Sequence, residues 1–154
     1  LLILAFSILL ITAWFLFKDI KGAAMVAGTV ASALIWLAGI MSFMGWKIDL
    51  FNLIGIPLIV GMGQDHALHL VHRIREEGVQ GMVRIVTETG GAIALTTWTT
   101  AIGFFGVMLA PHAGLQSLAR ISLTGMILAL LSSVVFMPAC MIVAERFRSR
   151  SSEG

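Results

Sequence analysis

The chain has 154 residues, of which 58% are hydrophobic and 12% charged, with a mean hydropathy of +0.99. A soluble domain carries roughly 45–50% apolar and about 25% charged residues, so this composition excludes an ordinary soluble globule and, with still more force, a disordered chain. A net charge of +2 from 10 basic and 8 acidic residues excludes a nucleic-acid binder, and the single Cys140 excludes an internal disulfide framework or a cysteine metal cluster.

Charge-free runs mark the spans. They cover Leu1 to Phe17, Gly22 to Trp46, Leu50 to Gln64 with an apolar continuation to Val71, Thr89 to Ala119 and Ile121 to Ala144. A span needs about 20 apolar residues, and unalternating runs of this length in lipid are helices. The expected fold is therefore all-α integral membrane: a five-transmembrane-helix bundle with spans near 1–17, 22–44, 50–73, 91–110 and 118–144. These make up a transmembrane domain over 1–145, followed by a basic tail at 146–154. The start at Leu1 has neither Met nor a basic leader, so the expectation is a fragment of a longer chain rather than a signal peptide.

If the spans alternate sides, eight basic residues (Lys18, Lys21, Arg73, Arg75, Arg84, Arg146, Arg148, Arg150) fall on one side and only Lys47 and Arg120 on the other. Positive charge collects on the cytoplasmic side, which places Leu1 outside and the C-terminus in the cytoplasm. Between the third and fourth spans Val79, Met82, Val83 and Val86 recur at helical spacing. That pattern predicts one short cytoplasmic amphipathic helix on the membrane surface.

In the second span Ala24, Gly28 and Ser32 stand four apart and predict close helix packing. Pro57 and Pro138 each remove a helical hydrogen bond and are hinge candidates.

Asp65 is the residue that composition makes conspicuous. It stands eight positions before Arg73, about 12 Å along a helix, which is well inside the hydrocarbon. A charged side chain there costs on the order of 2.5–3.5 kcal/mol, and intramembrane ionisable groups mark ion or proton paths. Either its partner belongs to another part of the protein, or the carboxyl is protonated for much of the time. At about 100° per residue, Gly61, Asp65, His69 and His72 share one face, with Gly61 leaving room for a neighbour. His69 and His72 extend a protonatable ladder towards the cytoplasmic end. His66 points about 100° away to a different neighbour, and Gly63 thins the helix on another side. In the fourth span the hydroxyls of Thr96, Thr97, Thr99 and Thr100, followed by Gly103, either bond their own helix or reach Asp65 across the interface.

The run Gly61-Met-Gly-Gln-Asp65-His-Ala-Leu-His69-Leu-Val-His-Arg73-Ile-Arg-Glu76-Glu77 resembles the GxGxDYxxHxxxRxxEE signature of the resistance-nodulation-division superfamily, most closely its MMPL and hopanoid-transporter-like members. Thr99-Thr100-Ala101-Ile102-Gly103-Phe104 resembles their TTxxGF segment, and Val135-Phe-Met-Pro138-Ala139 their final span. The five-helix unit also resembles the sterol-sensing domain. The resemblance implies two membrane halves, each with a large periplasmic domain after its first helix, this chain being the C-terminal half. It implies Asp65 as a proton-relay carboxylate paired with groups of the other half. His66 departs from the pattern, which has Tyr there.

The expected function is the transmembrane half of a proton-motive-force-driven exporter of lipid-like or hydrophobic substrates in a bacterial inner membrane. Asp65, His69, His66 and His72 form the relay, with Gly61, Gly63, Thr99, Thr100 and Gly103 packed around it. It is a secondary transporter rather than an enzyme, and no cofactor or metal is called for. Its expected partners are membrane lipids, the other transporter half and the substrate, with self-association left open. Two alternatives stand beside this: a membrane metalloenzyme using Asp65, His69 and His72, and a lipid-binding sensor without transport.

Overall fold

The computed structural model describes residues 20–143, together with Ser7 and Ile11. The remainder of the expected first span at 1–17 and the basic tail at 146–154 lie outside the described residues. Among those described, all regular structure is helical. Helix α1 spans Ile20–Phe43, α2 Leu50–Glu77, α3 Met82–Met108 and α4 Ala113–Leu131. A 3-10 turn, Val79–Gly81, precedes α3, and α4 runs through a π-helical turn, Ser132–Phe136, on to Val143.

Among the described residues three helical stretches are long and apolar enough to cross a membrane: Gly22–Phe43, Met82–Met108 and Ala113–Val143. Helix α2, with 28 residues, has the length, at about 42 Å, but Gln64, Asp65, three histidines and a charged last turn dilute its hydropathy. The five expected spans are thus represented by four helices among the described residues, three of which meet the membrane criterion by composition.

Local chemistry sets the helix ends. Gly45, at φ 65°, closes α1 with bonds from Gly45 N to the Ser42 carbonyl (3.3 Å) and from Trp46 N to the Met41 carbonyl (2.9 Å), the pairing a left-handed glycine permits. The Asp49 carboxylate then caps α2, accepting from Asn52 N at 2.7 Å. Pro111 cannot continue α3, and His112 caps α4 by accepting from Gly114 N through Nδ1 at 3.2 Å.

The amphipathic helix expected near residues 79–86 is not a separate element. After the 3-10 turn, α3 runs unbroken from Met82 to Met108. Its stripe also divides: Met82 enters the core and Val86 packs against it, while Val83 is 83% exposed. The Gly90-Gly91 pair is accommodated in mid-helix, where Val134, in the π-turn that follows α4, lies beside Gly90.

Helices α2 and α4 form the centre, flanked by α1 and α3. Near the 77–82 end the core is built from Val26, Leu70, Ile74, Ile85 and Met137; towards the 44–49 end it is Leu37, Ile59, Ile121 and Leu128. Helix α1 buries Val26, Thr29, Val30, Ala33 and Leu37. The Ala24-Gly28-Ser32 stripe does not make the expected close approach among the described residues. Ala24 is exposed, a Cβ on Gly28 would meet nothing within 4 Å, and only Ser32 crosses to α4, at Ser132.

Pro57 lies inside α2. The π-turn ends two residues before Pro138, which has no N–H for the Val134 carbonyl. There Met137 N reaches back to the Ser132 carbonyl instead, and the Ser132 hydroxyl donates to the Thr29 carbonyl of α1 at 2.7 Å.

Candidate functional site: a carboxylate and histidine ladder on the open face of α2

Asp65 stands 15 residues from the start of α2 and 12 from its end, about 22 and 18 Å at the helical rise. Its side chain is 70% exposed and that of His69, one turn on, 64%, with His69 Nε2 3.5 Å from Asp65 Oδ1. His72 faces the next turn, its Nε2 3.8 Å from Glu76 Oε1. One turn before Asp65, a Cβ on Gly61 would meet nothing within 4 Å. The shared face is therefore open along the helix and not covered by α1, α3 or α4. Among the described residues Asp65 has no ion-pair partner besides His69.

His66 turns the other way. It is buried at 5% exposure, with Nε2 3.3 Å from Thr97 Oγ1 of α3. The Thr97 hydroxyl donates its single hydrogen to the Ile93 carbonyl at 2.8 Å, so its oxygen accepts from His66 Nε2–H. The proton assignment leaves His66 Nδ1 as a buried acceptor with no partner among the described residues. His66 is thus a link between α2 and α3 on the side away from the ladder.

The other threonines turn back on their own helix. Thr96 donates to the Ile93 carbonyl at 2.9 Å, and Thr99 and Thr100 both donate to that of Thr96 at 2.9 Å. None is bonded to Asp65. Gly63 is buried against Ala129 and Val30, and Gly103 stands at an open surface. The structure therefore brings together Gly61, Asp65, His69 and His72, attaches His66 to Thr97, and leaves Thr99, Thr100 and Gly103 apart from the carboxylate. Among the described residues no three histidine, cysteine or acidic side chains converge as a metal site; His72 is drawn to Glu76 rather than to Asp65 and His69.

A polar hub at the 44–49 end adds to what the sequence pattern predicts. Asn52 is buried; its Nδ2 donates to the Lys47 carbonyl at 2.8 Å, and its Oδ1 accepts from the Ser117 hydroxyl of α4 at 2.8 Å. Its signal in the sequence is the Asp49-x-x-Asn52 spacing of a helix cap opening an apolar run. The Ser117 hydroxyl, whose single hydrogen is shared with Asn52 Oδ1, and then the backbone N–H of Asn52 hold the Asp49 carboxyl below its ordinary value; burial opposes them, and the Phe51 N–H adds the least. A carboxyl depressed in the fold stabilises it above the unfolded pKa of about 3.9, and that contribution is lost as pH falls through the folded value. Asp49→Ala is expected to cost about 0.5–2 kcal/mol in detergent-solubilised protein. Asp49→Asn keeps the cap and flattens the stability loss between neutral pH and acid, read by thermal denaturation.

With this geometry in place, comparison with known proteins gives the family. The MMPL family matches residues 1–153. Similar proteins include a protein of Methanocaldococcus jannaschii named as a membrane protein, 32% identical over 76% of this chain and 32% of its own length. Hopanoid transporter HpnN of Burkholderia multivorans is 24% identical over 82% of this chain and 15% of its own. Protein dispatched homolog 1 of Mus musculus is 27% identical over 70% and 7%. The chain spans a third or less of the length of each of these relatives. The all-helical architecture and a match over nearly the whole sequence lead to one conclusion: this chain is a membrane protein of the MMPL family.

Proposed function

We propose that the chain is the five-helix membrane half of a proton-driven exporter of lipid-like or hydrophobic substrates, with Asp65 as the group that takes up and releases the proton. The observation that carries this reading is the open face of α2, where Asp65, His69 and His72 stand in line and no other helix of the described residues covers them. Left to lipid, a mid-membrane carboxylate costs on the order of 2.5–3.5 kcal/mol, so a second membrane half is expected to cover the face. The family match supports the reading, and the hopanoid transporter among its relatives favours a lipid-like substrate.

In this reading α2 spans the bilayer despite its polar residues. Both the 77–82 end and the C-terminus face the cytoplasm of a bacterial inner membrane. Asp65 accepts a proton arriving from the 44–49 side, and the Asp65–His69 pair passes it towards His72 and the cytoplasm. Pro57 and the π-turn before Pro138 are the points where α2 and α4 bend as the two halves shift. Substrate is handled by domains outside this chain, so the device is a secondary transporter and not an enzyme.

Reconstitution of the full-length protein into vesicles tests the proposal. Export of a hydrophobic reporter lipid is expected to require an imposed pH gradient and to stop on addition of a protonophore. Export that continues at the same rate without a gradient contradicts it.

A further inference from the structure

Of the ten basic residues, the alternation of spans expected from the sequence separates Lys47 and Arg120 from the rest, and the fold brings these two to one place. They line a partly open cavity of about 170 Å³ between the 44–49 connection and the start of α4, together with Trp46, Asp49, Asn52 and Ser117. Among the described residues neither cation forms an ion pair. The Arg120 guanidinium lies over the Trp46 ring, 5.5 Å from its centroid; a cation–π contact uses none of the guanidinium's N–H donors, the groups that bind oxyanions.

The acid in the cavity wall is already engaged. Asp49 accepts from Asn52 N at 2.7 Å, which directs it at the start of α2. Asn52 is likewise spent, on the Lys47 carbonyl and Ser117. Two unpaired cations then face one committed carboxylate, and the balance favours an anion over a metal cation. The volume corresponds to about five or six waters, room for a phosphate group with part of its hydration and too little for an acyl chain. Tryptophan and cationic side chains at helix ends lie at headgroup depth, where lipid phosphates are the abundant anions.

We propose that Lys47 and Arg120, with Trp46 beneath the guanidinium, form a binding site for a phosphate oxyanion supplied by an anionic phospholipid of the leaflet at the 44–49 end. The site is about as remote from Asp65 as α2 allows, and it needs no proton coupling.

The test is native mass spectrometry of full-length protein in detergent, titrated with phosphatidylglycerol or with inorganic phosphate. For the double variant Lys47→Gln/Arg120→Gln, phosphatidylglycerol affinity is expected to fall about thirtyfold, roughly a factor of five for each cation. Asp49→Asn, which preserves the helix cap and removes a repelling charge, is expected to tighten binding, a gain that misfolding does not mimic. Should the double variant fail to fold, Lys47→Gln alone carries the loss arm, since the exposed Lys47 ammonium has no ion-pair partner among the described residues. Inorganic phosphate that displaces the lipid, with the same dependence on Lys47 and Arg120, supports the oxyanion site and makes free phosphate its source. Unchanged affinity in the cation variants, or weaker binding in Asp49→Asn, overturns the proposal.

Discussion

Asp65→Asn in the full-length protein is expected to lower gradient-driven export by about 100-fold or more, the lower range for removing a positioned proton-transfer group, while leaving expression and thermal stability near wild type. Asparagine matches aspartate in shape, so the open face of α2 keeps its form. Among the described residues the carboxylate pairs with His69 alone, at 3.5 Å and on an exposed surface. The substitution thus removes one long ion pair and, among the described residues, no packed contact. Loss of folding and loss of proton handling are therefore separable at this position. A merely structural Asp65 predicts the reverse pattern, with stability reduced and transport per folded molecule retained.

The second large effect concerns the centre of the bundle. A Cβ on Gly125 of α4 would lie 2.7 Å from Ile59 Cγ1 and nearer still to Cδ1, and Ile59 is itself fully buried. Gly125→Ala is expected to destabilise the protein by about 1–3 kcal/mol, the usual cost of overpacking, despite the helix-propensity gain of about 0.5–1 kcal/mol that alanine brings. Gly28→Ala in α1, where nothing lies within 4 Å, is expected to be neutral or stabilising. Thermal denaturation of the two variants side by side checks the pair. Equal effects would mean that α2 and α4 do not meet through Gly125 as described.

Comparison of these two glycines shows where sequence was sufficient and where it was not. The helical positions of α1, α2 and α4 follow from apolar runs, and the alignment of Gly61, Asp65, His69 and His72 follows from helical periodicity alone. That periodicity also separates His66 from the ladder, but its partner Thr97 lies 31 positions away, on a helix whose rotation only tertiary packing sets. Gly28 has the small-residue spacing that signals contact, yet Gly125 makes the close approach, because the decisive atom belongs to Ile59 on another helix. The start of α3 was obscured for the same reason. The stripe through Met82, Val83 and Val86 resembles a surface helix until Met82 and Ile85 are placed in the core between helices. The Asn52 hub was hidden because it is a link between the 44–49 connection and α4, assembled from residues far apart in the chain.

The central claim is that Asp65 carries the transported proton, and proton flux measures it most directly. Full-length wild type and Asp65→Asn are reconstituted at equal density into vesicles containing a pH-sensitive dye, and hydrophobic substrate is added under an imposed gradient. Substrate-dependent proton movement is expected in the wild type and none above empty vesicles in Asp65→Asn. An equal proton flux through Asp65→Asn would contradict that claim.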